Sequence, residues 1–506
     1  MDHDRIARLL AEAPTVAALR PWPRYEVDHA IFGEIGCVIG EGERELLGLW
    51  AEPGMVHMAL RRIGEEPCVV STAVTEDRFP SIGRWHAPAI RLERTIRDLY
   101  GYVPEAAEDT RPWLDHGAWE IASPLGQRIS APLRDPADYD FLPVHGEGLH
   151  QIPVGPVHAG IIEPGHFRFT ANGEIVARLE ERLGYVHKGV DALTTDAPLD
   201  RAARIVARVS GDSTVAASFA FARAVEAALG FEAPPRAATI RGVMAELERL
   251  ANHLGDIGAI CNDAAFALIL AHCGILRERV LAVCEAVFAH RLMMDVIVPG
   301  GVAANITHDG VRLINQMLDD IAPHFAAVVR CYENTPSLQD RTCNTGILAP
   351  ELAKRFAAGG YVGRASARDF DARRDLAYPP YGGRAFDVPL FTVGDVDARV
   401  RVRIGEVLAS MQLVRDLLAT LPEGPVLAPV PQAAAPGEGI AITEAFRGDL
   451  LVWLRVTPEG RIGRCHVRDA SWLQWPLLEA VIENNIVADF PLCNKSFNCS
   501  YSGHDL

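Results

Sequence analysis

The segments that decide the fold are Gly155-Pro-Val-His-Ala-Gly-Ile-Ile-Glu-Pro-Gly-His-Phe-Arg-Phe and, after it, Gly184-Tyr-Val-His-Lys-Gly. Residues 148–183 combine such Pro- and Gly-containing turns with apolar runs, which predicts β-strands joined by turns. His166 and Arg168 are two positions apart on one of these strands, so they lie on the same face. The preceding stretch, Leu142-Pro-Val-His-Gly-Glu-Gly, predicts a domain boundary, with one unit at 1–145 and a second at 146–506.

The N-terminal unit, residues 1–145, has the pattern of a small α/β domain. Ala30-Ile-Phe and the run from Glu66 to Val74 are β-prone, and residues 89–100 have helical periodicity.

The second unit is predicted to be a helical core flanked by β-hairpins at both ends. Its helices are predicted at 237–254, 276–293, 309–332, 396–421 and 473–484. A hairpin formed by 439–456 and 461–467, with a turn at Glu459-Gly460, precedes the last of these helices. Residues 489–506 have the composition of a polar Ser/Asn-rich tail. The fold class is therefore predicted to be α+β, with the N-terminal α/β domain first.

Composition excludes several functions. Lys and Arg total 49 against 66 Asp and Glu, a formal charge of −17, which argues against nucleic acid or an anionic lipid surface as a direct partner. The most apolar stretch, 259–276, contains Asn262, Asp263 and His272, so it predicts a buried helix and not a membrane span. The N-terminus lacks the features of a secretory signal, which predicts a cytoplasmic chain with reduced cysteines.

Three further stretches resemble a known family together with the opening one. Trp85-His-Ala-Pro-Ala-Ile-Arg-Leu-Glu-Arg-Thr-Ile-Arg-Asp-Leu-Tyr-Gly is similar to the signature helix of the 30 kDa subunit of respiratory complex I. Ala245-Glu-Leu-Glu-Arg-Leu-Ala-Asn-His-Leu and Glu444-Ala-Phe-Arg-Gly-Asp follow in the family's order. The chain thus resembles the large subunit of group 4 nickel-iron hydrogenases, of the hydrogenase-4 and formate hydrogenlyase type. That subunit is related to the fused 30 kDa and 49 kDa subunits of complex I.

The resemblance implies four nickel-iron thiolate ligands, in an Arg-Val-Cys-Gly-x-Cys element and an Asp-Pro-Cys-x-x-Cys element. Here the first element is Arg208-Val-Ser-Gly-Asp-Ser, with Ser210 and Ser213 at the ligand positions. The second is Asn498-Cys-Ser-Tyr-Ser-Gly, with Ser500 and Gly503 there. We call these the first and second serine elements. Serine hydroxyls cannot replace thiolates as soft ligands, so no metal and no cofactor bound by this chain is predicted.

Other residues are candidates through their place in the motifs. Glu163 matches the family's proton-relay glutamate, and His166 and Arg208 join it as catalytic candidates. His158, Ser210, Ser213, Ser500 and Tyr501 are predicted to line the vacated pocket. Asp212 with the two serines of its element would make a poor site for a hard cation. Cys493 and Cys499 are interpreted as buried thiols.

Quinone is an alternative occupant of the pocket. The His and Tyr that hold quinone in complex I relatives fall at Pro164 and Gly211 here, so His158 or Tyr501 would have to take over their role. Val298-Pro-Gly-Gly-Val lacks a strand-GxGxxG-helix context and gives no indication of direct nicotinamide binding, so NADH in family names refers to the whole complex. Glu246, Arg249 and His253 share a helix face and are predicted to form an internal polar network.

The functional hypothesis is a peripheral-arm subunit of a membrane-bound, complex I-like energy-converting oxidoreductase. The resemblance implies a small subunit with an iron-sulfur cluster and antiporter-like membrane subunits as partners, at the inner face of the cell membrane. A quinone or other acceptor reductase subunit using the vacated pocket, and a non-catalytic scaffold, remain alternatives.

Overall fold

The computed structural model describes residues 4–135, 138–159, 162–432 and 436–506. The N-terminal elements are α1 (Arg5–Leu10), β1 (Leu19–Arg20), β2 (Arg24–Glu26), α2 (His29–Gly40), β3 (Glu45–Glu52), β4 (Met55–Arg61), β5 (Cys68–Ala73), β6 (Arg78–Pro80), α3 (Ile90–Tyr100), β7 (Val103–Glu105), β8 (Ile121–Ala122) and β9 (Ile129–Ser130). A four-stranded sheet in the order β2-β5-β4-β3 organises this part. The predicted helix at 89–100 is confirmed as α3.

The Ala30-Ile-Phe run was predicted as β-structure, and this prediction is wrong. The run lies in α2, because Asp28 caps a helix there by accepting a hydrogen bond from the N–H of Ile31 at 2.8 Å. The helical periodicity of residues 29–40 therefore outweighs the β-propensity of three residues within them.

The middle of the chain holds a three-stranded sheet and the helical core. Its elements are β10 (Leu149–Val154), β11 (His166–Asn172), β12 (Ile175–Arg182), α4 (Val190–Thr194), α5 (Leu199–Val206), α6 (Thr214–Leu229), α7 (Pro235–Asp263), α8 (Ala267–Phe288), β13 (Ile297–Val298), β14 (Gly301–Val302), α9 (His308–Glu333), α10 (Pro336–Thr342), α11 (Pro350–Arg355), α12 (Gly360–Ala365), α13 (Ala372–Asp375) and α14 (Val396–Ala419). The longest helix, α7, packs against α8 and α14.

The apolar stretch 259–276 is not one buried helix as predicted. It contains the end of α7 and the start of α8, joined by a turn in which Ala265 has a positive φ of 62°. Leu268 and Ile275 are exposed on the second helix. None of the helices in the described ranges combines the length and the apolar character that a membrane crossing needs.

The C-terminal elements are β15 (Gly437–Ala445), β16 (Gly448–Val456), β17 (Ile462–Arg468), α15 (Ser471–Val481), α16 (Phe490–Phe497) and α17 (Tyr501–Asp505). The predicted hairpin is confirmed for β16 and β17, which pair antiparallel, but its first arm, 439–456, is two strands, β15 and β16, which also pair antiparallel. Beside it, β15 pairs in parallel with β1, so residues 19–20 join the C-terminal sheet across the predicted domain boundary. That boundary stays a prediction.

The predicted polar tail is also different in the structure. It forms α16 and α17, and Leu492 and Phe497 are buried in the core. Composition concealed this because polar residues of the tail are buried together with its apolar ones, and these polar residues include Ser496, His504 and Asp505.

The predicted polar network on α7 is present and larger than expected. Glu246 accepts hydrogen bonds from Arg249 at 3.3 Å and from Arg373 at 2.9 Å. His253 pairs instead with Glu406 of α14, with 2.6 Å between Nε2 and Oε2. All of these side chains are buried, so the network ties α7 to its neighbours.

Candidate functional site

The first serine element lies where α5 gives way to α6. Ser210 has extended backbone, and residues 211–213 form a short 3₁₀ turn that leads into α6. This turn buries Ser210 and Ser213. The N–H groups of Val215 and Ala216, in the first turn of α6, donate to Glu248, whose pKa burial raises to about 8.

The second serine element forms the start of α17. The Ser500 hydroxyl accepts a hydrogen bond from the N–H of Gly503 at 2.9 Å and so caps the helix. The backbone N–H of Ser500 donates to the Ser471 hydroxyl at 2.8 Å, and Trp475 Nε1 donates to the Ser500 carbonyl at 3.3 Å. These contacts hold the element against α15. A Cβ added at Gly503 would lie 2.9 Å from both Asp469 Cγ and Ser500 Oγ.

The two elements meet in the core, as the sequence predicts. The hydroxyl oxygens of Ser210 and Ser500, 290 residues apart in the chain, are 2.9 Å from each other. The Ser210 hydroxyl donates to Asp212 Oδ1 at 2.7 Å, so Ser500 is the donor to Ser210. The result is a directed chain of hydrogen bonds from Ser500 through Ser210 to the Asp212 carboxylate.

Arg447 closes this site from the turn between β15 and β16. Its guanidinium donates to both Asp212 oxygens, at 2.7 and 2.6 Å, and to the Ser213 hydroxyl at 3.1 Å. Burial opposes ionisation of Asp212, but the charge of Arg447 and the hydrogen bonds outweigh it and lower the pKa of Asp212 to about 2. Because both oxygens are engaged by Arg447, the geometry offers no free carboxylate for the hard cation considered above.

Sequence reasoning did not single out Arg447 as a site residue. The Glu444-Ala-Phe-Arg-Gly-Asp motif that carries it was recognised, but only the pairing of distant segments brings it to Asp212. An arginine in a tight turn between two buried strands was the available signal.

Glu163 and His158 lie beside the second serine element and contact Ser502 and Tyr501 within it. Glu163 is exposed, and its Oε2 accepts the N–H of Ser502 at 3.0 Å. His158 Nε2 lies 3.4 Å from the Tyr501 hydroxyl. Burial lowers the pKa of His158 and raises that of Tyr501. Gly160 and Ile161, which follow shortly after His158 in the sequence, lie outside the described residues.

Two predicted catalytic residues lie apart from this group. His166, on β11, places Nδ1 3.3 Å from the Gly155 carbonyl and accepts from Arg168 Nε at 3.4 Å. Arg208 points away from Ser210 and donates to both carboxylate oxygens of Asp295 at 2.7 Å. The Arg208 side chain therefore bonds to Asp295 and not to the serines of its own element.

The donor set does not fit a nickel-iron centre. Three of the four positions supply a serine hydroxyl, which is a hard ligand, and the fourth is a glycine, which supplies none. A nickel-iron centre is held by soft sulfur ligands. Cys493 and Cys499 are both buried, and burial raises the pKa of Cys493 to about 12 and that of Cys499 well above its ordinary value. The Cys499 sulfur lies 3.9 Å from the Gln474 side-chain oxygen.

Comparison with known proteins agrees with this architecture. The family model for the respiratory-chain NADH dehydrogenase 49 Kd subunit matches residues 264–437. The chain is similar to formate hydrogenlyase subunit 5 of Escherichia coli (strain K12), with 29% identity over 94% of this chain and 85% of the relative. Hydrogenase-4 component G of the same organism is 30% identical over 94% of this chain and 84% of the relative.

A solved structure has the same fold. One chain of the membrane-bound sulfane sulfur reductase, described as an archaeal respiratory membrane complex, matches with a TM-score of 0.67 over 71% of this chain and 99% of that chain, at 22% identity. This likeness confirms the predicted α+β fold.

The fold and its converging elements define the large-subunit class of hydrogenase- and complex I-related oxidoreductases. Within that class, the chain belongs to the family of hydrogenase-4 component G and formate hydrogenlyase subunit 5.

Proposed function

We propose that this chain is a peripheral-arm subunit of a membrane-bound, complex I-like energy-converting oxidoreductase, and that it holds no nickel-iron centre of its own. The observation that carries the proposal is the hydrogen-bond chain from Ser500 through Ser210 to the Asp212–Arg447 pair. Hydroxyl, carboxylate and guanidinium groups bond to one another at the positions that the resemblance assigns to thiolates and metal.

The proposed role of the site is proton handling next to electron transfer. Glu163 is open to solvent and fixed by the Ser502 N–H, so it can exchange protons at the edge of the second serine element. His158 and Tyr501 stand next to it and provide further polar groups. Ser213 is buried, and its hydroxyl accepts a hydrogen bond from Arg447 on the interior side of the proposed site. His166 and Arg208 remain candidates through their motif positions only.

The proposed partners are those that the resemblance to the large subunit of group 4 hydrogenases implies. Electrons would arrive from the iron-sulfur cluster of a small subunit, and antiporter-like subunits would attach the complex to the inner face of the cell membrane. The names of the relatives, which include a hydrogenase and a formate hydrogenlyase subunit, support an oxidoreductase complex of several subunits.

A second candidate function is reduction of a quinone or another acceptor in the vacated pocket. The observation that favours it is the pairing of His158 Nε2 with the Tyr501 hydroxyl at 3.4 Å, because an imidazole and a phenol can together hold a carbonyl oxygen. Quinone reduction by the purified complex that is lost in Tyr501→Phe would support this function.

Metal analysis of the purified complex tests the main proposal. We expect iron that matches the clusters of the partner subunits, no stoichiometric nickel and no hydrogen uptake. The hydrogenase-4 complex, purified in parallel, is the control for nickel retention. Stoichiometric nickel with hydrogen turnover would overturn the proposal. Absence of both hydrogen and quinone turnover, with unchanged assembly in Glu163→Gln, would instead support the scaffold alternative.

A further inference from the structure

Two buried carboxyl groups share one guanidinium below the second serine element. Arg91 of α3 donates to Glu181 Oε2 at 3.1 Å and lies 2.7 Å from Glu479 Oε1. The two glutamates are also joined directly, because the backbone N–H of Glu181 donates to Glu479 Oε1 at 2.8 Å. The trio thus connects β12, α15 and α3.

The two carboxyl groups differ in their surroundings. The Glu181 side chain is fully buried, and among the described residues its Oε1 has no hydrogen-bond partner. A quarter of the Glu479 side chain is accessible, and its Oε1 accepts the N–H of Glu181 and forms an ion pair with Arg91. A buried carboxylate oxygen without a donor is costly, whereas a protonated one is not charged. The negative charge therefore belongs on Glu479 and a proton on Oε1 of Glu181.

The neighbouring titratable groups leave this balance unchanged. Burial raises the pKa values of Cys499 and Tyr501, which face Glu181 from the second serine element and stay neutral. On the side of Glu479, Glu180 pairs with Arg111, and Arg94 pairs with Asp109. Burial and the charge of Glu479 raise the pKa of Glu181 well above its ordinary value.

The pair is also close to the proposed site. Glu479 lies one helical turn beyond Trp475, whose Nε1 donates to the Ser500 carbonyl and whose ring packs on Tyr501 with centroids 4.8 Å apart. A change of charge at the pair therefore acts on the second serine element through one layer of side chains.

We infer that Glu181 and Glu479, with Arg91 between them, form an internal proton-holding site that keeps one proton at neutral pH and presents it beneath the second serine element. The use of this proton in coupling rests on the proposed function. The holding of the proton does not, because it is a property of the resting protein.

Infrared spectroscopy of the purified complex tests the inference. We expect the C=O band of a protonated carboxyl group, lost on raising the pH, to be weakened by one group per molecule in Glu181→Gln. Glu180→Gln is the matched control, since Glu180 is the adjacent residue on β12 and is already paired with Arg111. An unchanged band in Glu181→Gln would overturn the inference, whether or not the complex proves to hold nickel or reduce an acceptor.

Stability gives a second readout. Because the folded-state pKa of Glu181 is raised, stability is full below its ordinary value of 4.5 and falls as pH rises through the raised value. Glu181→Gln should remove this loss and be at least as stable as the unaltered protein at about pH 9. Glu181→Gln with Glu479→Gln should be less stable than Glu181→Gln alone near neutral pH, where Glu479 carries the charge, because Arg91 is then buried without an anion. Equal destabilisation by the single and the double change near neutral pH would contradict the inference.

Discussion

Arg447 sets the charge at the point where the two serine elements meet. It engages Asp212 through two hydrogen bonds, and Asp212 in turn receives the Ser210 hydroxyl. A third of the Asp212 side chain is accessible, so this pair is partly screened by solvent. The arrangement is nonetheless directional, because a planar guanidinium fixes the carboxylate in one plane.

Arg447→Met should lower the free energy of unfolding by about 1 to 3 kcal/mol, less than for a fully buried pair because of that exposure. The change removes the cation that keeps the Asp212 pKa near 2. The pair's contribution is present above the ordinary value of 3.8 and is lost as pH falls toward about 2. Urea unfolding at neutral pH measures the effect, with Arg447→Lys as the control that keeps charge without the fork. Unchanged stability of the Met variant would rule out the pair as a structural element.

Thiol labelling should distinguish Cys493 and Cys499, which are buried near the site, from a more accessible cysteine. Cys493 and Cys499 are buried with raised pKa values, so both should resist iodoacetamide at about pH 8 in the folded protein and react in urea. Cys37, which is half-buried, serves as the reactive control. Mass spectrometry of the labelled peptides provides the measurement, and rapid labelling of Cys499 in the folded state would show that the second serine element opens.

At the scale of elements, the second serine element depends on one short helix. Ser500 caps α17, receives the Gly503 N–H and donates to Ser210. The capping hydroxyl is therefore also the link between the two elements.

Ser500→Ala should lower the free energy of unfolding by about 1 to 2 kcal/mol, the usual loss for a cap together with a buried hydrogen bond. Ser502→Ala is the matched control, since Ser502 lies two residues on and its hydroxyl is 3.5 Å from that of Ser500. Thermal unfolding of both variants makes the comparison. Equal melting temperatures for the two would mean that the cap does not hold the element.

Much of the element structure could be predicted from sequence, and the failures have physical causes. The helices of the core have long periodic patterns, and both serine elements were located from their motifs. Ala30-Ile-Phe was misread because three residues carry less information than the Asp28 cap before them. The tail was misread because Leu492 and Phe497 are diluted by polar residues. The Arg447–Asp212 pair joins residues 235 positions apart, which no local pattern reports.

At the scale of the whole molecule, charged side chains bind the N-terminal part to the rest. Glu45 of β3 accepts from Arg368 at 2.9 and 3.0 Å and also pairs with Arg61. Arg24 donates to Glu438 at 2.6 Å beside the β1–β15 pairing. All of these residues are buried, so the two parts of the chain are expected to unfold together.

Glu45→Gln should lower stability by about 3 to 5 kcal/mol, because Arg368 and Arg61 are left without a buried anion. Burial opposes ionisation of Glu45, but the two arginines outweigh it and lower its pKa. The loss should be full near neutral pH and should shrink below the ordinary value of 4.5. Glu41→Gln, at a pair with Arg5 whose two side chains are 52% and 38% exposed, should change stability by less than about 0.5 kcal/mol. Calorimetry should give a single transition for the unaltered chain, and two separate transitions would contradict the expected cooperativity.

The crowding around Gly503 couples any substitution at this position to the residue at position 500. A side chain there would press on Asp469 and on the hydroxyl of Ser500, so a cysteine at 503 is disfavoured for as long as Ser500 serves as the cap. A cysteine at position 500 is disfavoured in turn, because it would remove the Ser500 hydroxyl that links Ser210 to α17. Substitutions at positions 500 and 503 are therefore not independent, because a side chain at either position is tolerated only if the group at the other one moves.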